Sequence, residues 1–217
     1  MNSDQAKQFW KKSFTLQGKL FYPNLLKPTT NKNGRSTFNT MFAWHYDSNK
    51  NAMAELNQFL MTAKQTFHPA VPMQFFINPL KKYDTYQRQD GKPNAEYLKN
   101  HFWINAQSGA EIPVPVVDQM RQPIISEAEI YSGRNAVINV SFYNIDKEKK
   151  GIGVNVNAVM LMEGGERVGA GGAVNIDQIF GGFSQDMGIT KSADVPPPFP
   201  GTASNPFGGN DNGGGFV

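Results

Sequence analysis

The chain has 217 residues, a net charge of +3 and 39% hydrophobic residues against 18% charged, enough apolar material for one domain with polar loops around it. It has no cysteine, which excludes disulfides, thiolate catalysis and cysteine-based zinc sites. The charge is unevenly spread: residues 1–100 carry fourteen Lys/Arg against six Asp/Glu, and the remainder seven against twelve. Eighteen of the 26 aromatic residues lie within residues 1–103. Cations interleaved with aromatics suit a surface that tracks phosphates and stacks bases without reading sequence.

Residues 1–12 are polar, with Phe9 and Trp10 as anchors for a short helix or arm. The N-terminus lacks the basic and apolar regions of a signal peptide, and no stretch reaches the length of a membrane span, so a cytoplasmic location is expected. Residues 14–22 read as a strand: Phe14, Leu16, Leu20 and Tyr22 share one parity, Gly18 marks a bulge or bend, and Pro23-Asn24 ends the run. Lys27 to Arg35 is turn-rich and basic, an exposed hairpin loop.

Residues 37–46 form the clearest early strand, with Phe38, Thr40, Phe42, Trp44 and Tyr46 on one face. A helix runs from Ser48 or Asn49 to about Phe67, with Met53, Leu56, Phe59, Leu60, Ala63 and Phe67 three and four apart, and Pro69 and Pro72 stop it. Residues 73–77 look like a short strand. Residues 78–99 have no clear period but are rich in Lys, Arg and Tyr, as functional loops of this length often are. Strand character resumes over 101–106 and 112–117, the latter an edge because of Pro113 and Pro115. Two strong strands follow: Ala136, Ile138, Val140 and Phe142 alternate in the first, and Val154, Val156, Ala158, Met160 and Met162 in the second, joined by a polar turn at 146–151. Gly169 to Gly172 is a flexible bend and Ile176 to Phe183 a last short helix. Residues 184–217, rich in Gly, Pro and Asn, have too little apolar surface to offset the entropy of ordering. The expected organisation is a domain over 1–183 and a disordered tail over 184–217.

The expected class is mainly β. Short strands with turn signals favour a small barrel or sandwich, and a five-stranded Greek-key OB-fold with one main helix is accommodated if residues 78–99 are an insertion. Three segments together resemble the phage replicative single-stranded DNA-binding proteins, which have that fold. They are Leu20-Phe21-Tyr22-Pro23-Asn24-Leu25, the aromatic strand and helix of residues 37–67, and Ile130-Tyr131-Ser132-Gly133-Arg134 with the two long strands and Lys150-Gly151 after it. The resemblance covers roughly residues 14–183. It implies a protein that coats and protects single-stranded DNA in phage replication, recombination and repair, with no enzymatic activity and no cofactor. Family members often end in a densely acidic tail with a terminal aromatic that recruits replication partners such as polymerase and helicase. Here Phe216 agrees, but residues 184–217 hold only Asp186, Asp194 and Asp211 against Lys191, so any recruitment rests on Phe199, Phe207 and Phe216 more than on charge. Strand annealing and a virion-type interaction role are the alternatives.

The candidate DNA contacts are Trp44 and Tyr46 near their strand end, the cluster Lys81, Lys82, Tyr83, Tyr86 and Arg88, then Lys99 with Trp103, and Lys27, Lys32 and Arg35 on the first hairpin. Arg134 lies in the family-like motif, with Glu127 or Glu129 as an alternative ion-pair partner; those two glutamates would share a strand face. His45, His68 and His101 lack metal-ligand spacing, and Gly164 to Gly172 lacks the ending of a phosphate loop.

Overall fold

The computed structural model describes residues 2–88 and 90–168. The expected bend at Gly169 to Gly172, the helix at Ile176 to Phe183, the domain boundary at 183/184 and Phe207 and Phe216 lie outside the described residues.

The first helix, α1 (Ser3–Trp10), is started by a capping box: the Asn2 side chain accepts from the Gln5 N–H, and the Gln5 side chain accepts from the Asn2 N–H. The strands are β1 (Ser13–Thr30), β2 (Ser36–His45), β3 (Phe76–Ile77), β4 (Lys81–Lys82), β5 (His101–Gly109), β6 (Val116–Val117), β7 (Asn135–Asp146) and β8 (Lys150–Leu161), with α2 (Lys50–Phe67) between β2 and β3. Antiparallel pairing runs β8-β7-β1-β2-β5, and a parallel bridge from Gln107 to Asn155 joins β5 back to β8. That closes a five-stranded barrel in the order of an OB-fold. The closing seam between β5 and β8 is that one bridge; beyond it short pieces cover the two edges, β4 on β5 and β3 and β6 on β8.

Alternation puts one parity of each strand inside. Leu16, Leu20, Phe42, Ile104, Ile138 and Val140 are all fully buried. At one end, α2 lays Met53, Leu56, Phe59, Leu60 and Ala63 against Phe14 and Phe142, with Phe59 5.4 Å from each ring. Phe9 stacks on Phe59 at 4.5 Å and Trp10 packs on Phe67 at 4.9 Å, so α1 is tied down by the anchors expected of it.

Four expectations are corrected. Pro23-Asn24 does not end β1; the strand shifts register between Phe21 and Asn24 and again before Thr29, and continues to Thr30. Gly18 is not at a bulge. It pairs in regular register with Ala136, and a Cβ there would lie 2.3 Å from the Ala43 carbonyl oxygen, so glycine permits the close approach of β2. Glu127 and Glu129 sit in a single helical turn, not on a strand face, and residues 73–75 likewise form a turn before the two-residue β3.

Candidate nucleic-acid interface

On the outer face of β1-β2-β5 the register builds rows across three strands. Lys19, Ala43 and Trp103 form one; Phe21, Met41 and Asn105 the next; Asn24, Asn39 and Gln107 the third. His45 and His101 pair beyond the first row. Residues 83–98 fold back over part of this face. Tyr86 meets Trp103 edge-on at 5.2 Å, and Tyr97 stacks on Phe21 at 4.8 Å. Asn94 donates to the carbonyls of Tyr83 and Tyr86 at 3.0 and 2.8 Å, which fixes the segment's path. The result is a second, outer apolar cluster around Phe21, Ala43, Leu98 and Trp103.

Between this segment and the sheet lies a cleft of about 380 Å³ with Tyr22, Met41, Lys81, Tyr86, Arg88 and Tyr97 in its walls. Tyr22, Met41 and Asn105 also border an adjoining hollow of about 430 Å³ floored by Asn39 and Gln107. Together they make an open groove with aromatic rings, side-chain amides and cations. Tyr22 stands at its centre, 57% exposed and with a left-handed backbone, φ +48°. Three contacts hold it there: its N–H donates to Ser132 Oγ at 2.8 Å, its hydroxyl shares a 2.6 Å hydrogen bond with the Tyr97 hydroxyl, and the Gly133 N–H donates to the Leu20 carbonyl at 2.7 Å. Gly133 has φ +96°, and a Cβ there would fall 1.8 Å from the Glu166 carbonyl oxygen. The Tyr-Ser-Gly motif thus braces the β1 bulge that presents Tyr22.

The cations differ in their freedom. Lys81 Nζ lies 4.9 Å from the Tyr86 ring centre and makes no ion pair among the described residues; burial lowers its pKa. Lys82 lies over Tyr46 at 5.0 Å and pairs with Asp84 at 3.4 Å. Arg88 grips Asp90 with two hydrogen bonds, at 2.9 and 2.7 Å, and these hold the Asp90 carboxyl down at about 2. Tyr46 donates to Asp84 at 2.9 Å, and burial, then that contact, raises its pKa. Burial first, then the hydroxyl shared with Tyr22, raises that of Tyr97.

Of the candidates from sequence, the structure brings Lys81, Tyr86 and Arg88 into the cleft and sets Lys82, Tyr83 and Tyr46 beside it. Trp44 and Trp103 are corrected as stacking surfaces. Trp44 is 1% exposed because the whole even-numbered ladder of β2 faces the barrel interior, and Trp103 is 3% exposed because residues 83–98 cover it. Lys32 and Arg35 are exposed on the hairpin between β1 and β2, where Asn31 Oδ1 accepts from the N–H groups of Asn33 and Arg35. Lys99 pairs with Glu96 at 3.2 Å. Lys27 lies apart from the cleft, paired with Glu127 at 2.8 Å, which raises its pKa. Arg134 pairs with neither Glu127 nor Glu129; it donates to the Tyr131 hydroxyl at 3.2 Å and packs over that ring. Sequence reasoning missed Tyr22, Met41, Tyr97, Asn39, Asn105 and Gln107 as a group. The available signal was the odd parity of β2, since a buried even ladder leaves Asn39, Met41 and Ala43 facing out.

No three His, Asp or Glu side chains converge as a metal site, and no helix is long and apolar enough to cross a membrane, among the described residues. The family model described as Enterobacter phage Enc34, ssDNA-binding protein, matches residues 12–188. Among solved structures, the single-stranded DNA-binding protein from bacteriophage Enc34 in complex with ssDNA is similar, with a TM-score of 0.60 and 16% identity over 73% of this chain and 90% of that chain. A second structure of the bacteriophage Enc34 protein gives 0.60 and 16% over 78% of this chain and 90% of that one. At this identity the likeness is one of fold. No curated protein matches the chain at the sequence level.

Proposed function

This chain belongs to the family of the Enterobacter phage Enc34 single-stranded DNA-binding protein, and on that premise we propose that it binds single-stranded DNA without reading sequence, coating and protecting exposed strands during phage DNA replication and recombination. The observation that carries the reading is the groove on the outer face of β1-β2-β5, where Tyr22, Tyr86 and Tyr97 border a cleft that also holds Lys81 and Arg88. Rings and cations at this spacing serve two contacts that every nucleotide offers, a π-face and a phosphate. Exposed Lys32 and Arg35 on the β1–β2 hairpin extend the cationic surface, on a loop that OB-folds use to hold the strand.

A 2′-hydroxyl is not needed for either contact, and duplex DNA conceals the base faces that the tyrosines would meet. The cations act by displacing counterions, so affinity falls steeply as salt rises. The test is titration of a fluorescent oligo-dT of about 30 nucleotides and its duplex at low and high salt. Tight, salt-sensitive binding to the single strand with weak binding to the duplex is the expected result. Equal affinity for both, or no binding at low salt, would refute the reading.

A further inference from the structure

The two halves of the groove differ in chemistry. The cleft holds the cations Lys81 and Arg88. The adjoining hollow of about 430 Å³ has Tyr22, Met41, Asn39, Asn105 and Gln107 in its walls, and no charged side chain borders it among the described residues. Asn39 stands directly opposite Gln107, and Met41 opposite Asn105, so amides from two neighbouring strands share one floor beside the exposed Tyr22 ring. A hollow without charge is a poor seat for a phosphate. Amides beside an aromatic ring suit a base, which stacks by its face and forms hydrogen bonds by its edge.

The hydrogen bonds already made there leave mostly acceptors over. Asn39 Nδ2 has two hydrogens and spends both inside the protein, on Thr29 Oγ1 at 2.8 Å and on the Thr37 carbonyl at 3.3 Å. Its Oδ1 accepts from Asn24 Nδ2 at 3.1 Å, and an amide oxygen has room for a second donor. Gln107 Nε2 donates to the Tyr143 hydroxyl at 2.9 Å, while its Oε1 accepts nothing among the described residues. Thr40, also in the wall, donates its hydroxyl to the Phe21 carbonyl at 3.2 Å. Asn105 is exposed and its amide makes no side-chain hydrogen bond among the described residues, so it offers donor and acceptor alike. The Asn39 and Gln107 oxygens are therefore held acceptors, and Gln107 Nε2 keeps the one spare hydrogen of that pair.

We propose that this hollow seats a base and favours one with an exocyclic amino group, cytosine over thymine among the pyrimidines. This rests on the strand-binding reading above and adds a graded preference to it: rings and cations hold any strand, and the amides set how tightly each base sits. The cytosine amino group brings two donors to the Asn39 and Gln107 oxygens. Thymine carries a carbonyl at the same place, and its single N–H lies between two carbonyls. Seating thymine expels water from those oxygens and leaves them without a donor. Asn105 pairs with either base and does not discriminate.

The full chain is titrated with fluorescent oligo-dC and oligo-dT of equal length at mildly alkaline pH, where neither oligonucleotide folds. Oligo-dC is expected to bind about 2- to 10-fold tighter, the worth of one net neutral hydrogen bond. Both carry the same phosphates and the hollow carries no charge, so the ratio is expected to hold as salt rises while both affinities fall. Two further arms tie the ratio to the amides. An oligonucleotide of 2-pyrimidinone, which is cytosine without its amino group, is expected to lose the advantage on the wild-type protein. Gln107→Leu removes one acceptor and is expected to shrink the ratio, whereas Gln58→Leu on the exposed face of α2 leaves it as in the wild type. Equal affinity of the wild type for oligo-dC and oligo-dT overturns this proposal and leaves the groove reading standing. So does an advantage that survives loss of the amino group or the Gln107→Leu change, since stacking would then be its source. If the wild type binds neither oligonucleotide, both readings fall.

Discussion

Tyr22→Ala removes the side chain most exposed to a strand in the groove. The ring is 57% exposed and borders both the cleft and its adjoining hollow. A base stacked on it contributes about 1–3 kcal/mol, which at 1.4 kcal/mol per tenfold weakens binding by about 5- to 150-fold. The fold should tolerate the change. Truncation loses one hydroxyl contact, to Tyr97 at 2.6 Å, worth about 1 kcal/mol or a fall of about 2–4 °C in Tm for a chain of this size. The left-handed backbone at this position, φ +48°, strains alanine no more than tyrosine. Tyr97→Phe is the matched control, because it breaks the same hydroxyl contact but keeps its ring on Phe21. Fluorescence anisotropy with oligo-dT at fixed salt should then show a large loss for Tyr22→Ala and a small one for Tyr97→Phe. Affinity within about twofold of wild type for Tyr22→Ala, with the fold intact by circular dichroism, refutes the stacking argument.

Lys81→Gln should reduce the salt slope of strand binding by about 0.7 without loss of stability, since the amine it removes is desolvated and unpaired; titrations at several salt concentrations measure both. Asp90→Asn releases Arg88 from its carboxylate and should strengthen binding. The same pair has a pH signature. The Asp90 carboxyl is depressed from 3.8 to about 2, so the Arg88–Asp90 contact is complete above pH 3.8 and is lost as pH falls through about 2; carboxyl NMR should show that midpoint, returning toward 3.8 in Arg88→Gln. Gly133→Ala forces a Cβ into the Glu166 carbonyl at positive φ and should destabilise by at least about 1–3 kcal/mol in denaturant unfolding, with Tyr22 displaced and strand binding weakened. Phe42→Ala, fully buried in the barrel, should cost about 3–5 kcal/mol in the same assay.

The helical spacing from Met53 to Phe67 and the alternation over residues 136–143 were legible because each follows from local pattern and burial on one face; the expected alternation of Val154, Val156, Ala158, Met160 and Met162 holds only to Val156, where a bulge turns Val159 and Leu161 inward in place of Ala158 and Met160. The parity of β2 was legible too, but its consequence was misjudged for Trp44. A ladder of uniform parity goes inside as a whole, and Trp44 near its end still packs between Phe42 and Phe102. The charge excess of the first 100 residues overstated the free cation. Lys27, Lys82, Arg88 and Lys99 each meet an acid in the fold, three of them within a few residues in sequence and one 100 residues away. Tyr22 was illegible as a groove residue. Its place depends on a bulge braced by Ser132, 110 residues later, and on Tyr97 from the covering segment. Trp103 is hidden by the same segment, which has no periodicity to announce that it packs on the sheet.

The central claim is that the strand lies across the outer face of β1-β2-β5. Photocrosslinking of an oligo-dT carrying 5-iodouracil, followed by mass-spectrometric mapping of the attached residues, tests it most directly. The account predicts crosslinks at Tyr22, Tyr86 and Tyr97. Crosslinks confined to aromatics away from that face, such as Trp10 and Phe75, would contradict it.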